Sequence, residues 1–378
     1  MKKRTRIIAC LTAGVLILAV SATAAFGSAN GYSSYKNAVM DLALKEENFT
    51  AKGTVEVKLD GKAFTTMDVN YAQDGVNRST CTTTTEDGET YTHWDTTLNG
   101  VDTWFSSESD VYWQAQVNRD NTSLLGYDKN DEMQSRLINF LSIAADTVAG
   151  ELKNNFVQVG SEKGKDLYQV SISGSQVPSL VNAGLSFFAY EAAGGDNADC
   201  GQITWDNYWA AEIAYYEKTT GETLSQELKT ALIEGYDEAF YQAHMAEINK
   251  LDENSDKMYD YYNEILEQKG NVGVVYVKDD GSYDYYPTWM DYLAAQKGQG
   301  VDNMEYYIAK ELTLEQVDCT FSLDQDGRLT DNQITASFTA TDAKGGRHTL
   351  EVTGNVTVSD YGTTQVQPLD VGDRTKSA

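Results

Sequence analysis

The sequence predicts an α+β fold: a long, curved antiparallel sheet of about eleven strands, covered by helices and interrupted by a helical insertion. Three observations carry this. Apolar and polar residues alternate with a period of two through two long stretches, Val55–Val117 and Val317–Val358. Tight-turn pairs such as Asp60-Gly61, Gly75 after Asp74, and Asn99-Gly100 punctuate the alternation, and such turns require positive φ. Between the two stretches the apolar spacing changes to that of helices.

Gly31–Glu47 reads as a helix with Tyr35, Val39, Leu42 and Ala43 at helical spacing. A meander of six or seven strands follows, from Val55 to Val117. Asn130–Gly150 returns to helix, with Met133, Leu137, Phe140, Leu141, Ala144 and Val148 on one stripe. Phe156–Val159 and Asp166–Ile172 read as strands, and Ser175–Phe188 as a second apolar helix. One apolar sheet face needs a cover, and these two helices supply it. Residues 189–270 form an acidic, aromatic insertion with helices near Trp205–Glu217, Leu224–His244 and Glu247–Gln268. Strands resume with the hairpin Val272–Val277 and Tyr283–Tyr286, then the final ladder to Val358. The expected organisation is therefore residues 1–30 as an export segment, 31–188 with 271–366 as the sheet domain, 189–270 as the insertion, and 367–378 as a disordered polar tail.

Lys2, Lys3, Arg4 and Arg6 precede a weakly polar to apolar run from Ile7 to Phe26. This is a secretory signal, with small residues for cleavage after Ala24, or a membrane anchor through residues 7–26 if uncleaved. Either places the rest outside the cytoplasm, secreted or anchored at the cell surface. Ile7-Ile8-Ala9-Cys10 looks like a lipobox but sits at the start of the apolar run, where a lipid-modified cysteine does not belong. The net charge of −28 repels phosphates and anionic headgroups, so nucleic acid is excluded as a partner. Cys81, Cys200 and Cys319 are too sparse for a disulfide framework, and three reduced thiols is the favoured reading.

The exported N-terminus, the helix Tyr32–Leu44, the first strand Phe49-Thr50-Ala51-Lys52-Gly53-Thr54-Val55, and the ladder from Val317–Asp324 through Asp342–His348 together resemble the half-barrel superfamily of lipoprotein carriers and sigma-factor regulators (LolA-like, RseB-like, LppX-like). The chain is also similar to exported proteins of Gram-positive, clostridia-like bacteria. The resemblance spans most of the exported region. It implies a concave face that binds acyl chains, or a sensor acting on an anti-sigma factor. The misplaced lipobox and the 189–270 insertion depart from the family pattern.

Catalytic signatures are weak. His93, His244 and His348 are far apart in sequence, and no G-x-S-x-G, H-E-x-x-H or P-loop occurs. Asp252-x-Asn254-x-Asp256 begins like a calcium loop, but Lys257 and Asn263 replace the required Gly and Glu, so it reads as a solvated helix junction. Asp324-x-Asp326-Gly327 is a hairpin turn. No metal or cofactor is expected. Two binding surfaces remain. Leu137, Phe140, Leu141, Leu185 and Phe187 would line an apolar site beneath the covering helices. Trp205, Tyr208, Trp209, Tyr215 and Tyr216 would contact a glycan or partner protein. In each case ordinary core packing is the competing explanation. The leading expectation is a non-enzymatic binding protein for a lipid-like ligand or a cell-surface or anti-sigma partner. The alternatives are a glycan- or peptide-recognising surface protein and a carboxylate-dependent hydrolase.

Overall fold

The computed structural model describes residues 30–86, 88–118, 121–124, 131–132, 134, 136, 155–177, 179–192, 201–236, 238–296 and 304–377. Its helices are α1 (Asn30–Leu44), α2 (Ser179–Ala192), α3 (Tyr208–Thr220), α4 (Gln226–Glu234), α5 (Glu238–Gln268), α6 (Trp289–Gln296) and α7 (Met304–Ile308). The strands are β1 (Asn48–Leu59), β2 (Lys62–Asp74), β3 (Asn77–Glu86), β4 (Glu89–Leu98), β5 (Val101–Ser106), β6 (Val111–Gln116), β7 (Val157–Glu162), β8 (Lys165–Ser173), β9 (Gln202–Trp205), β10 (Val274–Val277), β11 (Tyr283–Tyr286), β12 (Glu311–Leu323), β13 (Leu329–Thr341), β14 (Arg347–Ser359) and β15 (Thr375–Lys376).

Twelve strands form one open, curved, mostly antiparallel sheet in the order β15-β6-β5-β4-β3-β2-β1-β14-β13-β12-β8-β7. The fold is thus α+β, as the period-two stretches predict. Asp60-Gly61 and Asn99-Gly100 all have positive φ, the backbone their turns demand. The export segment lies outside the described residues, as does most of the predicted helix Asn130–Gly150. No described helix is long and apolar enough to cross a membrane.

Two compact units partition the chain. The first holds the described residues up to Trp104, with Ala115–Ala189 and Lys310–Asp370. In it the register places Ala336 opposite Val352, Phe338 opposite Leu350, and Cys319 between Ile334 and Val170. All are buried except that their alternating neighbours are polar, so one face of β8 and β12–β14 is apolar. Helix α1 closes it with rings: Tyr35 lies 4.2 Å from Phe321, which stacks on Tyr168 at 4.7 Å, and Tyr32 meets Phe156 edge-on at 5.6 Å. Asn182 of α2 accepts a 3.0 Å hydrogen bond from the Leu314 amide at a bulge in β12. Across β3 and β4 the alternation fades. Hydroxyl pairs replace apolar ones there, Thr83 with Thr92 at 3.1 Å and Thr85 with Thr90 at 2.9 Å.

The second unit holds Phe105–Gln114, Tyr190–Ala309 and Val371–Ala378. Its three-strand sheet runs β11-β10-β9, with β10 parallel to β9 and antiparallel to β11. Here the structure departs from expectation. The hairpin Val274–Tyr286 does not rejoin the large sheet; it pairs with β9, so the inserted segment runs on to Ala309. Gly273 makes this possible. At φ 77 its carbonyl accepts a hydrogen bond from the Gln202 amide at 2.9 Å, and a Cβ there would sit 2.2 Å from the Tyr286 carbonyl oxygen. The polar tail also differs from the disorder predicted for 367–378. Thr375 and Lys376 pair with Val111 and Tyr112, and the Arg374 guanidinium lies 4.0 Å over the Phe105 ring. Backbone pairing and a cation–π contact hold this segment, and neither leaves a hydrophobic signature.

Helix boundaries in this unit follow their caps. Asn207 accepts from the Ala210 amide at 3.2 Å to start α3, and Ser225 accepts from Leu228 at 3.1 Å to start α4. The predicted helix Leu224–His244 is broken at Gly235, whose φ is 108, and α5 then runs unbroken through His244 and Glu247. Met245 and Ala246 contain nothing that stops a helix.

Candidate functional site

The long helix α5 organises the second unit. Ile248, Leu251, Met258, Tyr262, Ile265 and Leu266 are buried along one stripe at three- and four-residue spacing. Tyr262 is the hub of an aromatic group. Trp205 meets its ring at 5.4 Å and 85°, Tyr261 at 5.0 Å and 72°, and Tyr283 at 6.2 Å and 81°. Its hydroxyl donates to the Gly281 carbonyl at 2.8 Å, tying α5 to the β10–β11 turn. Edge-to-face contacts of this kind each add roughly 0.5–1.5 kcal/mol beyond burial. Around the hub, Tyr259, Tyr261 and Tyr283 reach the surface at 41%, 38% and 40% exposure. Tyr259 is braced by Trp205 at 5.6 Å and Tyr208 at 6.0 Å, and Tyr261 by Tyr215 at 5.7 Å. Three exposed rings are thus held by buried and half-buried ones, which limits the rotamer entropy a contact must freeze.

The sequence-predicted residues sit mostly beneath this surface. Tyr216 is buried against Leu224 and Leu228, with Trp209 packed on the same cluster. Trp205, Tyr208 and Tyr215 are half-buried against Ala211, Met258 and Tyr262. Core packing therefore accounts for Tyr216 outright and for most of the area of the others. The Tyr208 hydroxyl is paired with Ser255 at 2.6 Å, and Tyr215 donates to the Lys257 carbonyl at 3.1 Å.

Between the two apolar clusters on α3 lies Glu212, 1% exposed, with neither carboxylate oxygen hydrogen-bonded. Asn254 of α5 is buried with its amide nitrogen also unpaired. Burial pushes the Glu212 carboxyl up to about 7; Asp252 adds to the shift, and the neighbouring Ser255 and Tyr208 hydroxyls oppose it. This is a polar layer inside a helix seam. Its consequence falls on the stability of the seam.

The apolar site expected in the first unit is only partly visible. Leu185 is buried on α2, Phe187 on the same helix is 65% exposed, and Leu137, Phe140 and Leu141 lie outside the described residues. On the apolar face of β1 and β2, Val57 and Met67 are buried while Val55, Val69 and Tyr71 are half-buried.

Two of the histidines make defined contacts. His244 stacks on Phe240 at 4.1 Å within α5, not at a helix end. His348 bridges two hairpin turns, Nδ1 to Asp60 at 2.8 Å and Nε2 to Asp342 at 3.1 Å. Burial pulls its pKa down, but the two carboxylates outweigh this and hold it above the ordinary 6.5. Asp252, Asn254 and Asp256 lie in mid-helix, which rules out both a calcium loop and the expected helix junction. No group of three His, Cys, Asp or Glu residues that could hold a metal occurs among the described residues. Cys81 and Cys319 are free thiols, and burial pushes Cys319 up to about 12. No family model matches the chain, and neither does any curated protein.

Proposed function

We propose that the protein is a non-enzymatic recognition protein of the cell exterior, in which Tyr259, Tyr261 and Tyr283 contact a glycan or a polypeptide. One observation carries this reading: the exposed Tyr261 and Tyr283 are fixed in place by packing on the buried Tyr262, and the exposed Tyr259 by packing on Trp205, which itself meets Tyr262. Tyrosine offers large rigid contact area together with a hydroxyl, and the three hydroxyls have no partner among the described residues. The extracytoplasmic placement rests on Lys2–Phe26. The test is binding of chitooligosaccharides and of short basic and acidic peptides, followed by Trp fluorescence. The triple variant Y259A/Y261A/Y283A is expected to lose whatever binding the native protein shows while keeping its unfolding midpoint. Binding that survives in the variant would remove the tyrosines from the account.

A lipid-like ligand on the apolar face of β1 and β2 is the second reading, favoured by the half-buried Val55, Val69 and Tyr71 and by the half-barrel resemblance. Native mass spectrometry of protein purified from its host tests it. A retained lipid supports this reading, and a ligand-free mass at every purification scale contradicts it.

A further inference from the structure

We propose that the exposed side of α5, flanked by Tyr259 and Tyr261 and extended by Tyr283 beside Tyr262, docks a lysine- or arginine-rich polypeptide segment. This rests on the reading of that face as the recognition surface and names the chemistry of its partner. Between Asp252 and Glu267, α5 exposes the carboxylates of Asp252, Glu253, Asp256, Asp260, Glu264 and Glu267 against a single cation, Lys257. None of these seven is in an ion pair among the described residues. Asp256, Asp260 and Glu264 recur every fourth residue, a spacing at which like charges repel along the helix. At 3.6 residues per turn, Asp256, Asp260 and Glu264 fall between Tyr259 and Tyr261 around the axis of α5. Beyond the effect of burial, Asp260 and Glu264 raise the Tyr215 phenol, and Asp280 raises that of Tyr262. The other lysines nearby are engaged: Lys278 is 2.9 Å from Asp284, and Lys269 lies 5.1 Å over the Tyr285 ring.

The acidic surround selects among occupants. A neutral glycan would use the rings and hydrogen-bond the carboxylates, but it would leave their charge uncompensated. A second copy of this chain would bring another −28 charges to an already acidic face. A basic segment satisfies both features, because guanidinium and ammonium groups lie favourably over tyrosine faces and pair with carboxylates at their rims. It would also relieve the repulsion along α5.

The test is titration of the full chain with a fluorescently labelled ten-residue lysine/arginine peptide, with a glutamate peptide and chitohexaose as the other probes. Y259A/Y261A/Y283A and D256N/D260N/E264Q are each expected to weaken the basic peptide by about tenfold or more. A control that removes the same charge elsewhere, E89Q/E108Q/D373N, is expected to stay within about twofold of the native protein. Equal losses in the control and the α5 variant would overturn the proposal, since binding would then follow net charge alone. So would insensitivity to the tyrosine triple. Chitohexaose binding that depends on the tyrosines, without peptide binding, would keep the face and refute its basic partner. Failure of every probe to bind would refute both.

Discussion

The two units use the same aromatic chemistry to opposite ends. In the first, Tyr32, Tyr35, Phe156, Tyr168 and Phe321 are all buried, and the rings close α1 onto the sheet. In the second, Tyr262 is equally buried, yet two rings that touch it, Tyr261 and Tyr283, reach solvent, as does Tyr259 on the neighbouring Trp205. A closed cluster spends its area on folding. An open one keeps part of that area for a partner while the buried ring fixes its geometry. The difference lies in where the rings fall relative to the buried stripe, not in how many there are.

The largest expected effect breaks both clusters. Phe321→Ala and Tyr262→Ala should each cost about 3–5 kcal/mol, as truncation of a buried ring does. Urea unfolding followed by tryptophan fluorescence measures this. Tyr262→Ala should also abolish peptide binding, whereas Phe321→Ala should leave it intact at temperatures where the variant is folded. A cost below about 1 kcal/mol for Tyr262→Ala would deny it the role of hub.

Next comes the seam beneath the open cluster. Glu212 has its pKa raised from 4.5 to about 7, so the folded state holds the proton longer than the unfolded chain does. Its contribution is fully present below about pH 4.5 and is lost as pH rises through about 7. Glu212→Gln should therefore stabilise by on the order of 2 kcal/mol at pH 8, with the gain vanishing near pH 4.5. A gain that does not change with pH would show that the acid is not the titrating group.

His348 gives a smaller effect in the first unit. Its raised pKa means that the links to Asp60 and Asp342 contribute fully below about pH 6.5 and fade as pH climbs through the folded value. His348→Ala should cost more at pH 5.5 than at pH 8.5, with unfolding midpoints at the two pH values as the readout. The reverse order would show that the imidazole is held neutral. Smallest of all, Tyr259→Ala, Tyr261→Ala and Tyr283→Ala should each change stability by no more than about 0.5 kcal/mol while weakening binding. A larger stability loss would return these rings to the core.

The sheet was legible because its signals are local. Asp60-Gly61 and Asn99-Gly100 declare their turns, and Ile334, Ala336, Phe338 and Ala340 declare a buried face. What the sequence concealed depends on distant pairing. Nothing in Val274–Val277 says that its neighbour is Gln202–Trp205 rather than the large sheet, and Thr375–Lys376 finds Val111–Tyr112 through backbone groups alone. The site was half legible. Aromatic richness located the unit, but Trp209 and Tyr216 turn inward. The helical period of α5 separates Tyr262, in phase with Met258 and Ile265, from Tyr259 and Tyr261, which are out of phase. Tyr283 carries no such signal, because its strand pairing decides its exposure.

Tyrosine nitration with mass-spectrometric mapping, run with and without the basic peptide, bears most directly on the claim that the second unit presents an open aromatic face. Tyr259, Tyr261 and Tyr283 are expected to react first in the free protein and to be protected when the peptide is bound, while Tyr35 and Tyr262 stay unreacted in both. Modification of Tyr262 as fast as its neighbours, or exposed rings whose reactivity ignores the peptide, would contradict the account.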